Sequence, residues 1–509
     1  MPNNLPIHEN LIMRTNPIWL AGYDNHGKVY IDTNHIEREI YPNYLHYALN
    51  ILESYKTNNL EKIGIVHTDI DKGNKKFIHR KHLISYPFEW TANMYKDAVL
   101  FHLNLFLKLE QHGLTLKDAL PNNIVFDFCK PIFVDFLSIV EKNNLKYESW
   151  LMKDKSYMEP RYSVFDQMFI PFILVPFMAM AERKYDLSRR MLAEQSCNCD
   201  GGVPRWQDVY SGSILKYGLR SKVLIKHLIK KLFMMHSEMP IYPRKPSKLF
   251  RLLSSKLELT FADFCSQLIK FVEAVDVTPP KSAYLSYYDA KSENFDLSDQ
   301  SQWHTKQKTV AKIIDLEKPN TMIDIGANTG WFSILAARRG IKVIAIDVDE
   351  SSIDALYLYA KQNDLKILSL LISFDNMTRQ IFGMNCSDLE YIDRDFKAVP
   401  LYRPATERLN TDMVLCLGLL HHLVLGNGMP LADALGILSK LATKTLILEF
   451  VELHDKLIQE EPTFFKHIDK YSSNKYNIGA VIEKSKQYFN YCYIMDSHPK
   501  TRKLLICRK

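Results

Sequence analysis

Residues able to do chemistry in this 509-residue chain gather in a few short strings. The first is Met322-Ile-Asp-Ile-Gly-Ala-Asn-Thr-Gly-Trp-Phe-Ser333, which reads as a strand ending in an acid, a turn of small residues and a helix starting near Trp331. Gly326 and Gly330 let the backbone turn sharply and approach a ligand with no Cβ in the way, and a helix start presents free amide donors. Asp324 precedes the turn, Asn328 sits in it, and Asp347 ends the next apolar run, Val343-Ile-Ala-Ile-Asp347. Those are the parts of a nucleotide-type cradle, in which the second acid accepts the hydroxyls of a ribose. A dinucleotide-binding dehydrogenase is one use of such a turn. Further on, Leu417-Gly-Leu-Leu-His-His-Leu423 puts His421 and His422 just beyond a strand's carboxyl end, where open parallel sheets take their ligands. Either is a candidate general base, the alternative being that one faces the site while the other packs or caps a helix. Glu449, at the rim of Leu446-Ile-Leu-Glu-Phe450, is a further catalytic candidate, with a fold-supporting hydrogen bond as an equal alternative.

A separate cluster lies in Leu114-Thr-Leu-Lys-Asp-Ala-Leu-Pro-Asn-Asn-Ile-Val-Phe126 and Pro131-Ile-Phe-Val-Asp-Phe136. Asp118, Asn123 and Asp135 follow the spacing by which kinases set a catalytic Asp, a metal-binding Asn and a second metal-binding Asp. The cluster resembles the aminoglycoside-phosphotransferase branch of the protein-kinase-like fold, which implies ATP and Mg2+ as ligands. Leu116 stands where that family has His, Leu137 where it has Gly, and no Gly-rich phosphate loop precedes Lys81. A kinase-derived binding or scaffold domain is therefore the first expectation, with an active kinase and a chance match as equal alternatives. No certain metal site is expected.

The elements that must position these groups fall into regions of different texture. From residue 1 to about 90, short runs such as Lys62 to His67 and Lys76 to His79 suggest a small sheet-bearing lobe. Residues 91–277 carry apolar positions at helical spacing, Ala98, Phe101, Leu105, Phe106 and Leu109 among them, and should be mostly helical. Residues 278–310, with Pro279 and Pro280, read as a connector. Residues 311–509 alternate apolar strands with helix-length segments: 321–325, 342–347, 366–372, 412–416 and 445–449, closed by the antiparallel pair 488–495 and 503–507. That pattern is an α/β, doubly wound, seven-stranded Rossmann-like sheet behind an α+β region whose second lobe is largely helical.

The Asp324 to Gly330 string and the acid at Asp347 closely resemble class I S-adenosylmethionine-dependent methyltransferases, Gly-x-Asn-x-Gly being a variant of their commoner Gly-x-Gly-x-Gly. The resemblance implies that Asp324 and the Gly326 to Gly330 turn hold the methionine part of S-adenosyl-L-methionine, and Asp347 its ribose. The Asn/Asp-Pro-Pro-Tyr/Phe signature of many base and amide N-methyltransferases is missing, and the histidine string is similar to small-molecule methyltransferases. With His82 to Trp90, Leu116 to Asp118, Ile132 to Asp135 and Ile447 to Val451, the chain resembles a bacterial, nodulation-protein-like group of two-part methyltransferases. This implies methyl transfer to an O or N acceptor, small molecule or glycan first and protein second; a bifunctional kinase and methyltransferase, or a silent scaffold, are the rival readings.

Composition is that of an ordinary globular protein. Hydrophobic residues make up 47% and charged residues 24%, which excludes a disordered or collagen-like chain. The net charge, 65 − 58 = +7, suits anionic ligands and falls short of a dedicated nucleic-acid binder. Basic residues dominate from Arg205 to Lys256 and read as a solvated helix face, with an anion-binding surface as the alternative. Cys197 and Cys199 are too close for the usual zinc spacing, and the cysteines read as reduced thiols. No secretory signal opens the chain, and Met168 to Ala181, interrupted by Pro171 and Pro176, is too short to span a bilayer, so a cytoplasmic location is expected.

Overall fold

The computed structural model describes residues 18–19, 26–32, 34–71, 73, 76–143, 164–194, 260–286, 296–379, 402–470 and 475–509. The Cys197 and Cys199 pair and the basic run from Arg205 to Lys256 lie outside the described residues. Near the N-terminus, β1 (Ile18–Trp19), β2 (Gly27–Ile31), β3 (His35–Ile40), β4 (Thr68–Asp71) and β5 (Lys76–Arg80) form a sheet in the order β1-β2-β3-β5-β4, every pair antiparallel. Helix α1 (Pro42–Thr57) connects β3 to β4, starting at a proline whose missing N–H is not needed in the first turn. The run from Lys62 to His67, expected as a strand, is a 3-10 turn over Leu60–Ile63 followed by a single bridge from Ile65 to Phe133. Left-handed Asn59 and Gly64, at φ 51° and 97°, bracket that turn and interrupt any extended path.

Helix α2 (Ala92–Glu110) is capped by Thr91, whose hydroxyl accepts from the Met94 amide, and it buries Ala98, Leu105, Phe106 and Leu109, while Phe101 is only partly covered. Two short ribbons follow: β6 (Leu114–Leu116) with β9 (Ile139–Glu141), and β7 (Ile124–Asp127) with β8 (Lys130–Phe133). A π-helical stretch over Phe165–Leu174 runs into α3 (Val175–Ala181); then come α4 (Tyr185–Glu194) and α5 (Phe261–Ala274). Among the described residues no helix is long and apolar enough to cross a membrane.

The last third holds α6 (Thr305–Glu317), β10 (Thr321–Ile325), α7 (Trp331–Arg338), β11 (Lys342–Asp347), α8 (Glu350–Gln362), β12 (Ile367–Leu371), β13 (Thr411–Cys416), α9 (Leu431–Leu441), β14 (Ala442–Val451), α10 (Ile478–Ser485), β15 (Tyr491–Asp496) and β16 (Arg502–Arg508). These strands make one mixed sheet in the order β12-β11-β10-β13-β14-β16-β15, the first five parallel and β16 antiparallel to both neighbours. Period-two alternation splits the strands between two cores. Met322, Val343 and Ala345 pack with Val310 and Ile314 of α6, whereas Ile323, Ile325, Ile344 and Ile346 join a cluster that runs on through Leu435, Tyr357, Trp90 and Tyr95 into the N-terminal helices. One apolar core therefore crosses from the helical region to the sheet.

Polar contacts fix the same junction through α8. The Asn93 amide and its Nδ2 donate to Asp354 at 2.9 and 2.6 Å, Tyr357 and Lys361 both meet Asp97, and Arg189 of α4 pairs with Glu350. Arg408 reaches the buried Glu89, and Trp90 bridges Leu370 on β12. Helix α8 starts three residues after Asp347, so the helical region braces one wall of the place where strand order reverses.

Candidate functional site

That reversal lies between β10 and β13, which stay paired to their last residues, Ile325 with Cys416. The turn after β10 leaves from there, at the strand end where open parallel sheets take their ligands. Gly326 and Gly330 are left-handed at φ 77° and 79°, and the amides of Gly326 and Ala327 both donate to the Ile346 carbonyl, tying the turn to β11. Asn328 is also left-handed, at φ 51°. Asparagine is one of the few side chains that tolerate that region, which explains how it can stand in place of a middle glycine. A Cβ on Gly330 would fall 2.5 Å from both methyl carbons of Leu356, a core residue of α8. Gly330 also opens α7 with no capping side chain among the described residues, and in the first turn the Ser333 amide donates to the Asp324 carboxylate.

The strand-end acids support this turn in different ways. Asp324 is buried, accepts from Ser333 Oγ at 2.7 Å, and has its carboxyl pushed up to about 6, chiefly by burial. It lies beneath the turn and seats α7. Asp347 is half-buried; its Oδ2 accepts from the Asn328 amide at 2.7 Å and its Oδ1 from the Asp349 amide at 2.8 Å. Burial raises its pKa too, and those amide donors oppose the rise. The Val348 amide donates to the same carboxylate as well, and with three donors on its two oxygens it still has acceptor capacity to spare. Asp349 caps α8 by accepting from the Ser352 amide, and its carboxylate also takes the Ser282 hydroxyl of the connector at 2.8 Å. Two residues on, the Tyr284 carbonyl accepts from Asn328 Nδ2 at 2.8 Å, so the connector is fastened to the turn itself.

Past β13, the two histidines diverge. His421 is fully buried, with no hydrogen-bond partner at either ring nitrogen among the described residues, and desolvation holds its pKa well below the ordinary histidine value. His422 is half-buried and packs 4.1 Å from the His421 ring and 5.1 Å from Phe464. Glu449, read from the sequence as a catalytic candidate, is completely buried. Its Oε2 accepts from Lys306 Nζ of α6 at 2.9 Å and its Oε1 from Ser497 Oγ at 2.7 Å, so both oxygens are spent on structure. An uncompensated carboxylate there would be costly, and Lys306 removes that cost.

In the N-terminal region the structure brings Asp118, Asn123 and Asp135 together. The Asp118 amide donates to Ser138 Oγ and its carboxylate accepts from the Leu120 amide at 3.1 Å. Burial, and then the charge of Asp135, push the Asp118 carboxyl up to about 7, with Asn123 and the Leu120 amide opposing. Asp135 accepts from Arg38 Nη2 of β3 at 3.1 Å. Lys81, by contrast, donates to the Asp32 carbonyl.

Arg38, Lys306, Ser333, Asp349 and Tyr284 were not legible as site residues. Only Asp349 carried a signal, an Asp two residues past a strand end and three before Ser352, the pattern of a helix N-cap.

An open, mostly parallel sheet with a glycine turn between two acids at its switch point is the arrangement at which doubly wound α/β folds take their ligands. No protein-family model matches the chain. It is 27% identical, over 389 residues, 74% of this chain and 70% of the relative, to the nodulation protein NoeA of Rhizobium meliloti (strain 1021), which bears out the nodulation-protein-like resemblance. Among solved structures it superposes in part on WbdD in co-crystal with the kinase inhibitor LY294002, with TM-score 0.29, 15% identity, and 44% of this chain on 43% of that one. The chain thus spans less than half of that structure's length. Magnesium protoporphyrin IX methyltransferase (ChlM) from Synechocystis PCC 6803 with bound SAH gives TM-score 0.23 and 16% identity, with 40% of this chain on 81% of that one. Likenesses this loose carry no weight on function.

Proposed function

We propose that the C-terminal sheet carries an S-adenosyl-L-methionine-dependent methyltransferase site acting on an oxygen or nitrogen of a small-molecule or glycan acceptor. The observation that carries this reading is the Gly326 to Gly330 turn, held between buried Asp324 and half-buried Asp347 where the strand order reverses. The groups fit such a cofactor. Asp347 keeps acceptor capacity for ribose hydroxyls, the left-handed turn allows close backbone approach, and the local carboxylates suit a cationic ligand. The cofactor supplies an electrophilic methyl group on sulfonium sulfur. The chain's own part is to position the acceptor and to take its proton. His422 suits the second task better than His421, because burial keeps the His421 ring neutral and a poor base.

Titration calorimetry with S-adenosylhomocysteine tests the site without knowledge of the acceptor. Binding is expected at micromolar strength, weakened about tenfold or more by Asp347→Ala, since a lost charge-assisted hydrogen bond costs about 1.5 to 3 kcal/mol. Preferential binding of NAD would overturn the assignment in favour of a dehydrogenase-type site.

A second reading, nucleotide binding with or without phosphoryl transfer in the N-terminal region, is favoured by the meeting of Asp118, Asn123 and Asp135 beside Arg38. Leu116 and Leu137, where kinases use His and Gly, and the pairing of Asp135 with Arg38 favour a binding or supporting role over catalysis. Thermal shift with ATP and magnesium decides: no stabilisation fits a supporting role, while a magnesium-dependent shift lost in Asp135→Ala fits a bifunctional enzyme.

A further inference from the structure

At the far edge of the seven-stranded sheet, two thiols face each other outside the proposed site. Cys492 of β15 and Cys507 of β16 are directly opposed partners in the antiparallel register, and their sulfurs are 3.0 Å apart. Both are free thiols. Opposed residues in an antiparallel pair have Cα atoms about 4.5 to 5.5 Å apart, inside the about 4.4 to 6.8 Å span of disulfides, so a bridge requires no backbone displacement. Access is one-sided. Cys507 is buried beneath the sheet face that packs α10, whereas Cys492 is half-buried on the edge strand beside exposed Tyr491 and Tyr493. The hairpin is joined to the sheet interior through its loop, where Ser497 holds Glu449 and Thr501 donates to Asp455.

We propose that Cys492 and Cys507 form a two-electron redox site, a dithiol that closes to a cross-strand disulfide on reaction with a low-molecular-weight disulfide such as glutathione disulfide. The Cys492 thiolate attacks one sulfur of the reagent, forming a mixed disulfide and expelling one thiolate. The Cys507 sulfur then attacks Cys492 Sγ, the Cys492 to Cys507 bond forms, and the second small thiolate leaves. Both protein thiol protons end on the released thiols, and two electrons pass from protein to reagent. Burial pushes the Cys507 thiol well above the ordinary cysteine range, which makes Cys492 the entry point.

The test uses the full chain, exposed to glutathione disulfide, alkylated, and read by intact mass and peptide mapping. The expected product is lighter by two hydrogens, links the Cys492 peptide to the Cys507 peptide, reverts with dithiothreitol, and slows amide exchange along β15 by about tenfold. Cys507→Ser should stop at a glutathione adduct on Cys492. Because a hydroxyl at that buried position can disturb folding, Cys492→Ser at the half-buried position serves as the second variant and should form no linked pair. Alkylation of both thiols after exposure, a persistent glutathione adduct on wild-type Cys492, or a bridge mapping to other cysteines would each overturn the assignment.

Discussion

Two acid clusters in this molecule are built on opposite plans. Where the strand order of the seven-stranded sheet reverses, Asp324 and Asp347 are satisfied by neutral donors, a serine hydroxyl and backbone amides, and a glycine turn lies between them. In the N-terminal region, Asp118 and Asp135 repel each other and Asp135 is held by the Arg38 guanidinium, with no comparable backbone cradle among the described residues. Neutral donors leave a carboxylate its charge and its spare lone pairs, so the first cluster is ready for a ligand as it stands. A carboxylate that already has a cationic partner has part of its charge offset, so it attracts a metal less strongly. The difference assigns preorganised binding to the C-terminal site and a conditional role to the N-terminal one.

The strongest way to break this contrast is to fill the cradle. Gly330→Ala places a methyl 2.5 Å from the Leu356 side chain, which is locked in the core, and forces a non-glycine residue to φ 79°. A left-handed alanine costs about 1 to 2 kcal/mol and overpacking about 1 to 3 more, so a loss of about 2 to 5 kcal/mol is expected in denaturant unfolding. S-adenosylhomocysteine binding should vanish with it. Unchanged affinity would mean that the turn is a packing device and that the ligand lies elsewhere.

The N-terminal cluster is tested by removing its charge. The folded-state pKa of Asp118 is raised to about 7 from 3.8, so ionisation opposes folding. The penalty is full above about pH 7, shrinks as pH falls through the folded value, and is gone below the unfolded one. Asp118→Asn keeps an oxygen for the Leu120 amide and should stabilise the protein by about 2 kcal/mol near pH 8, with little of that gain left near pH 4. Equal stability at both pH values would show that solvent screens the pair and that the two clusters differ less than their partners suggest.

How much of this was legible depended on sequence distance. Strands β10 and β11 fall on the expected residues, and β12, β13 and β16 lie within one residue of the expected bounds, because a β-branched apolar run between polar turns leaves little freedom. Strand β14 starts at Ala442, three residues before the expected Thr445, since exposed Thr443 and Lys444 hide the strand from a hydrophobic pattern. The site's glycines and strand-end acids were readable for the same local reason. Its long-range partners were not. Arg38 meets Asp135 across 97 positions, Lys306 meets Glu449 across 143, and the Tyr284 carbonyl meets Asn328 across 44, and no periodicity or motif encodes such pairings. Glu449 shows the consequence, for the sequence leaves a catalytic and a fold-supporting role equally open, and only the partly buried Lys306, far away in the chain, supplies its ion pair.

The mildest test sharpens the contrast from inside the C-terminal site. Ser333→Ala removes the hydroxyl that donates to Asp324 Oδ2 at 2.7 Å, with both residues buried. Losing that donor should cost about 1 kcal/mol and lift the Asp324 carboxyl above its present value of about 6, since burial then acts with less opposition. A further rise means that ionised Asp324 is held less well, so the destabilisation belongs to the ionised form. It should be larger near pH 8 than near pH 5, where the carboxyl is largely protonated in both proteins. Because Gly330 still seats α7, cofactor affinity should fall only a few-fold. Chemical denaturation at the two pH values checks this directly. A loss that is equal at both, or larger at the lower, would show that Ser333 contributes packing alone, and Asp324 would then rest on its backbone donor as Asp347 does.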